Sequence, residues 1–132
     1  MSTEKDLDRL LQGLSPVLLP GEFVFCSFEQ ASYGEHADLE PIATVQEREG
    51  LTFIVPRAAA DAQSLEYEST FRCITLNVHS SLLAVGLTAA VASKLADHGI
   101  SANVLAGFHH DQIFVRSDHA ARAIEVLESI AP

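Results

Sequence analysis

Hydrophobic and polar residues alternate most regularly in the second half of the chain. In the run FRCITLNV at 71–78, Ile74, Leu76 and Val78 fall on one face, which predicts a strand with one apolar side. Two shorter runs of the same kind follow, on either side of a turn at 108–111. They predict strands at 101–107 and 112–116.

Apolar residues recur at helical spacing in two segments of this half. Leucine or valine stands at every fourth position from Leu83 to Leu95, which predicts a helix at 82–98 that ends at His98-Gly99. A stripe of five apolar residues predicts a last helix at 119–130: Ala120, Ala123, Ile124, Leu127 and Ile130. The helix at 82–98 is apolar around most of its circumference, so we expect it to be buried on more than one side.

From residue 71 onward the predicted elements follow the order β-α-β-β-α. A ferredoxin-like unit needs one more strand after its second helix, and the sequence reaches Pro132 without one. We therefore expect the fourth strand to come from the N-terminal part of the chain or from a partner chain.

The first half of the chain is less regular. An amphipathic helix is predicted at 4–14, and the prolines that follow it are expected to break the chain. Strands are predicted at 22–28 and 51–55, with a shorter one at 42–46. The polar, turn-rich segment 29–41 predicts an exposed loop.

The composition narrows the class of protein. A chain of 132 residues, 48% of them hydrophobic, fits one compact domain or two very small intertwined ones. No apolar run approaches the roughly 20 residues of a membrane-spanning helix, and the start mixes both charges, unlike a secretory signal. Cys26 and Cys73 lack zinc-ligand spacing. We expect two buried thiols in a cytoplasmic protein without metal or cofactor.

The net charge of −10 is concentrated in the first half of the chain. Residues 1–70 carry thirteen acidic against four basic side chains, whereas residues 71–132 carry five against four. No basic stripe is present, which argues against nucleic-acid binding. The acidic half favours a cationic ligand, although solubility alone also accounts for it.

Two strings resemble a known family. The string VHSSLLAVGLTAAVASKLADHGISANVLAGFHHDQIFV at 78–115 resembles the body of an ACT domain. The string PIATVQEREGLTFIVP at 41–56 resembles the first half of a tandem ACT-like family of small bacterial proteins. The resemblance extends over about residues 22–130. It implies an α+β fold of ferredoxin-like ACT architecture, with antiparallel sheets, helices on one face, and two intertwined ACT-like units at 1–66 and 67–132.

The resemblance also implies a function. ACT units often bind a small molecule such as an amino acid where two units meet, at the loop after the first strand and at a neighbouring second strand. The implied ligand-binding residues here are Ser80, Ser81, Val85, Gly86, Leu87, Ser101, Ala102, Asn103, Val104 and Glu49. On this basis we predict a non-catalytic regulatory protein that binds a small metabolite and forms a homodimer or a higher homo-oligomer.

Two alternatives remain open. Many amino-acid-binding ACT domains carry an acidic residue near the start of the loop, and Val78-His79-Ser80-Ser81 has none. A purely structural oligomerisation or protein-interaction module is therefore the second hypothesis. The third is a small enzyme that uses His79 with the histidine-rich turn at 109–111. Adjacent side chains in a tight hairpin point apart, so metal binding there is disfavoured, and Ser80-Ser81 is better suited to cap a helix than to act as a nucleophile.

Overall fold

The computed structural model describes residues 6–78, 83 and 85–130. The chain forms two compact units, and the sequence of one interrupts the sequence of the other. We call them the flanking unit, Met1–Pro20 with Arg72–Pro132, and the inserted unit, Gly21–Phe71.

Helices and strands alternate irregularly along the chain, as in an α+β protein. In chain order the elements are α1 (Leu7–Gln12), β1 (Pro16–Leu18), β2 (Phe23–Phe28), β3 (Ala43–Glu47), β4 (Gly50–Pro56), α2 (Arg57–Ala62), β5 (Phe71–Leu76), α3 (Leu87–Asp97), β6 (Asn103–Ala106), β7 (Asp111–Arg116) and α4 (Ala120–Glu128). Short 3-10 helices lie at Ala37–Leu39 and Ser117–His119.

The fourth strand of the flanking unit is β1, so of the two sources that we left open the N-terminal part of the chain supplies it. β1 pairs antiparallel with β5, and Pro16 lies opposite Leu76. On its other side β5 neighbours β7, which pairs antiparallel with β6. The prolines were expected only to break the chain. Pro16 is nevertheless accommodated because it is the first residue of its strand, where the missing N–H group is tolerated.

The core of the flanking unit is built from the faces that the periodicity predicts. Ile74 and Leu76 of β5 are fully buried, and the α4 stripe lies against the same cluster. Leu10 of α1 is also fully buried there, so this short helix anchors the N-terminal segment to the unit. Within the predicted α4 stripe, Ala120, Ala123 and Leu127 are buried, and Ile124 and Ile130 are half-buried.

Helix α3 differs in part from its prediction. It begins at Leu87 rather than at 82, after Gly86 with a φ of +104°; residues 79–82 and 84 lie outside the described part. Its fully buried residues form one stripe of Leu87, Val91 and Leu95, while Ala89 and Ala96 are exposed. Within the described residues α3 contacts both α4 and α1, so the expected burial on more than one side is met in part, and contact with a partner chain stays a prediction.

The inserted unit is a three-stranded antiparallel sheet in the order β3-β4-β2. Phe28 at the end of β2 lies opposite Leu51, and Gly50 opposite Glu47. The strands at 22–28, 42–46 and 51–55 are thus confirmed within a residue or two. A second apolar cluster fills this unit: Val24, Leu39, Leu51, Phe53, Val55 and Ala60.

The two compact units divide the chain at other positions than the ACT-like units expected at 1–66 and 67–132, which stay a prediction. Residues 7–20, which we had placed with the first half, belong to the flanking unit because α1 enters its core and β1 extends its sheet. The free cysteines also differ from each other, since Cys73 is buried and Cys26 is only half-buried.

Candidate functional site

The predicted ligand loop of the flanking unit is partly occupied by the protein itself. A Cβ added at Gly86 would lie 3.1 Å from Leu7 Cδ2 of α1. The next residue, Leu87, is buried in the core. An apolar side chain of α1 therefore covers one side of Gly86, and ligand binding at this loop stays a prediction.

The predicted residues of the second strand are also engaged structurally. Asn103 opens β6 and donates its side-chain amide to the carbonyl oxygen of Phe114 at 3.3 Å, across the strand pair. Ala102 is half-buried against the core, whereas Ser101 and Val104 are exposed. A ligand at this strand would thus find few free polar groups.

The remaining predicted residues are scattered or fall outside the described part. Ser80 and Ser81 belong to the segment that is not described. Val85 is exposed over 84% of its surface. Glu49 lies in the exposed turn between β3 and β4, where its carboxylate is 3.9 Å from the guanidinium of Arg48.

The two histidine rings of the histidine-rich turn do not stack on each other. It connects β6 to β7, and the rings of His109 and His110 are 6.4 Å apart at their centroids, tilted by 50°. In the described ranges, no group of three or more His, Cys, Asp or Glu side chains is placed to hold a metal ion. Burial raises the pKa of Asp111, which begins β7.

An open cleft of about 410 Å³ lies instead in the inserted unit, where β2 ends. Its wall is a continuous stretch of chain together with two residues that return to it: Ser27, Phe28, Glu29, Gln30, Ala31, Glu35 and His36. A cleft of this volume is in the range that small metabolites occupy.

Aromatic packing holds the two ends of this segment together. The imidazole ring of His36 stacks on the Phe28 ring with centroids 4.2 Å apart and planes 12° apart. Phe53 of β4 meets both rings edge to face, at 5.4 Å and 5.7 Å. His36 has a φ of +58°, in the left-handed region. This tertiary contact between ring systems, rather than any regular element, determines the position of the His36 side of the cleft.

Behind the Phe28–Glu29 part of the cleft wall, two backbone segments approach closely at Gly50, which does not itself line the cleft; we call this contact the glycine floor. A Cβ at Gly50 would lie 2.8 Å from the carbonyl oxygen of Phe28 and 2.9 Å from Glu29 Cα. Only glycine therefore lets the start of β4 pass directly beneath the Phe28–Glu29 peptide. On the opposite side of the loop, the backbone N–H of Ser32 donates to the Glu35 carboxylate at 2.7 Å.

The inserted unit is strongly acidic. Residues 21–71 contain ten acidic and two basic side chains, a net charge of −8. Both basic side chains have acidic neighbours away from the cleft: Arg48 lies beside Glu49, and Arg57 NH1 lies 2.9 Å from Glu22 Oε1. Among the described residues that line the cleft, two are glutamates and none is a lysine or arginine.

Arg57 forms hydrogen bonds that hold helix α2 in place. Its Nε donates to the hydroxyl of Tyr67 at 3.0 Å, and that hydroxyl donates to Asp61 Oδ1 at 2.7 Å. The hydrogen bonds to Tyr67 and Glu22 raise the pKa of the guanidinium, which stays charged at any physiological pH. It is therefore not a free cation for a ligand carboxylate in the cleft.

Sequence reasoning treated 29–41 as an exposed loop and missed this cleft. The acidic residues of this loop and the glycine at position 50 can be read from the sequence. The proximity of Gly50 to the loop cannot. His36 has a left-handed backbone conformation at the cleft. The only local indication of this turn in the sequence is the polar composition of the loop.

Two family models for the ACT domain match the chain in tandem, at residues 2–72 and 68–129. The first of them alone covers more than half of the 132 residues. The chain belongs to the ACT domain family. A search of curated proteins finds none that matches it.

Solved structures agree with this ACT assignment. A Vibrio cholerae protein of unknown function, described as a possible transport protein, is 48% identical over 96% of both chains, with a TM-score of 0.87. The regulatory subunit of aspartate kinase from Thermus flavus is 11% identical over 91% of this chain and 97% of its own, with a TM-score of 0.60. Aspartate kinase from Clostridium acetobutylicum is 9% identical over 91% of this chain and 34% of its own, with a TM-score of 0.66.

The two aspartate kinase structures share the fold of this ACT protein, which is the ferredoxin-like α+β architecture that we predicted. Within the described residues, no helix is both long enough and apolar enough to cross a bilayer.

Proposed function

We propose that this ACT protein is a non-catalytic regulatory module that binds a small metabolite in the cleft of its inserted unit. The observation that carries the proposal is the cleft at the end of β2, with its stacked His36 and Phe28 rings and its glycine floor. A wall that is held by side-chain packing and backbone contact is organised before a ligand arrives, which lowers the entropic cost of binding.

The position of the cleft supports the same proposal. In the ACT resemblance, the ligand meets the loop that follows the first strand of a unit. In the inserted unit that strand is β2, and the loop after it supplies most of the cleft wall. In the flanking unit the corresponding position beside Gly86 faces Leu7, so we assign the main ligand position to the inserted unit.

A regulatory role is the natural consequence of such binding in a protein of this fold. The similar structures include a protein described as a regulatory subunit of aspartate kinase, and we extend that general role to this chain without the kinase partner. Ligand binding would bias the packing of the ACT units or the oligomer that they form.

The test is a ligand panel read by thermal shift and then located by NMR. Amino acids and small amines at millimolar concentration are screened, and a ligand at 100 times its dissociation constant adds about 2.7 kcal/mol to the free energy of unfolding. Amide shifts that cluster in residues 27–36 support the proposal. Shifts confined to 85–87 and 101–104 would move the ligand to the flanking unit and refute it, as would a panel without any ligand.

A second candidate function, a homo-oligomerisation module, is favoured by the edge strand β6. Among the residues that the structure describes, β6 is paired on one side only, its sequence is uncharged, and Val104 is 37% exposed. The adjoining turn exposes 78% of Phe108. Charged residues and prolines on an edge strand prevent it from pairing with another chain. An edge strand without them is suited to pair with a second copy of the chain. Sedimentation measured over a wide concentration range tests this role, and a strict monomer at all concentrations rejects it.

A further inference from the structure

The cleft in the inserted unit combines three features that together select the charge of its ligand. It has a volume for a small molecule, an aromatic wall from Phe28 and His36, and two glutamate side chains, Glu29 and Glu35. We propose that it binds a small organic amine that carries no carboxylate, such as an alkyl diamine. This inference rests on the proposed function, because it names the ligand class of the same site.

The described lining of the cleft lacks a permanent positive charge. Glu29 and Glu35 line one cleft, and within the described part of the chain no lysine or arginine lines it with them. The basic residues of this unit, Arg48 and Arg57, lie beside acids elsewhere. The carboxylates at the cleft therefore lack a fixed counter-charge from their own unit, and a ligand ammonium group can supply it.

The acidic cleft would repel a carboxylate on the ligand. An amino acid brings an ammonium group and a carboxylate together into the same small space. Apart from the His36 imidazole, which is stacked on Phe28, the cleft offers that carboxylate no basic side chain, and the surrounding unit has a net charge of −8. At separations of a few ångströms, like charges disfavour the carboxylate even with substantial solvent screening. An amine without a carboxylate gains the same attraction and avoids this repulsion.

The aromatic wall of the cleft favours a ligand with a hydrocarbon part. The stacked rings of His36 and Phe28 present an aromatic surface next to the carboxylates. Such a surface suits an alkyl chain, and an ammonium group near an aromatic face gains further electrostatic attraction. A bare inorganic cation has no hydrocarbon part to bury against this wall.

The experiment compares ligands that differ by one group. Calorimetric titration measures 1,5-diaminopentane, lysine, 6-aminohexanoate and 1,5-pentanediol against the full chain. Lysine is 1,5-diaminopentane with one added carboxylate, so their ratio isolates the repulsion. We expect the diamine to bind roughly tenfold tighter than lysine, the diol not to bind measurably, and the diamine affinity to fall as salt is added.

Matched variants separate the site from the general acidity of the unit. The pair Glu29→Gln and Glu35→Gln removes two charges at the cleft, and glutamine at 35 keeps an oxygen that can accept from Ser32 N–H. The pair Glu66→Gln and Glu68→Gln removes the same charge from exposed positions of the same unit that do not line the cleft. We expect the first pair to weaken diamine binding at least about tenfold and the second by no more than about threefold. Unchanged unfolding midpoints without ligand verify that both pairs fold.

The possible results are distinct. Equal affinities for lysine and the diamine, or measurable binding of the diol at the cleft, would overturn the inference and leave the proposed function standing. Equal losses in the two variant pairs would overturn it too, because attraction would then come from the whole unit. If no compound binds in this series or in the wider panel, the inference and the proposed function fail together.

Discussion

Replacement of Gly50 by alanine tests whether β4 approaches the Phe28–Glu29 part of the cleft wall as closely as the structure indicates. The added Cβ would lie 2.8 Å from the Phe28 carbonyl oxygen and 2.9 Å from Glu29 Cα, both of them backbone atoms that cannot rotate away. The start of β4 or the end of β2 must therefore shift. We expect the overpacking to lower the free energy of unfolding by about 1–3 kcal/mol.

A second glycine provides the matched control. Gly21 has a φ of +82°, and a Cβ placed there meets no atom within 4 Å. Gly21→Ala therefore measures the cost of an alanine at positive φ without a steric clash, about 1 kcal/mol. Because Gly50 has a φ of +156°, its variant combines backbone strain with the clash, and the excess over the control estimates the clash.

The assay is chemical denaturation followed by titration with a ligand of the cleft. We expect Gly50→Ala to be the less stable variant by at least about 1 kcal/mol, with ligand affinity lowered as well, since the clash moves the Phe28–Glu29 peptide. Gly21→Ala should bind normally. Equal stabilities for the two variants would show that β4 does not pass beneath the end of β2 as closely as described, and the reasoning on the glycine floor would be refuted.

Three further predictions concern the edge strand β6 and the two cysteines. Val104→Lys on the edge strand β6 should shift a concentration-dependent oligomer toward monomer, while Val45→Lys on the edge strand β3 should not; equal sedimentation of both variants would reject β6 as the interface. Burial raises the pKa of the Cys73 thiol to about 11, from an ordinary value near 9, so in the folded protein a thiol reagent should modify the half-buried Cys26 first and Cys73 only on unfolding. Since the unfolded chain releases the Cys73 proton at lower pH than the folded chain, the stability associated with that proton is complete below pH 9 and is lost as the pH rises toward about 11. Unfolding midpoints measured from pH 8 to 11 should therefore fall more steeply for the natural chain than for Cys73→Ala, and parallel slopes would contradict this.

The strands and helices with long regular patterns were predictable from the residues alone. The alternation of Ile74 and Leu76 predicts β5, and the α4 stripe predicts which residues of the last helix enter the core. Period-two and period-3.6 patterns are local consequences of backbone geometry, so they can be recognised without knowing what the face packs against.

Elements that depend on distant residues were not predictable in the same way. β1 consists of three residues that begin with a proline, and it becomes a strand because β5, more than fifty positions later, pairs with it. The start of α3 depends on the left-handed Gly86 beside Leu7. Neither contact leaves a periodic signal in its own segment.

The candidate site, like the fold, was predictable from the sequence only in part. The amino-acid sequence by itself determined the acidity of the first half, the polar loop after β2 and the resemblance to ACT domains. Only the tertiary structure decided that Glu29, Glu35, Phe28 and His36 line one cleft, and that Leu7 covers the predicted position at Gly86. The physical reason is that charge and periodicity are properties of a segment, whereas a cleft exists only where packing brings separate segments within contact distance.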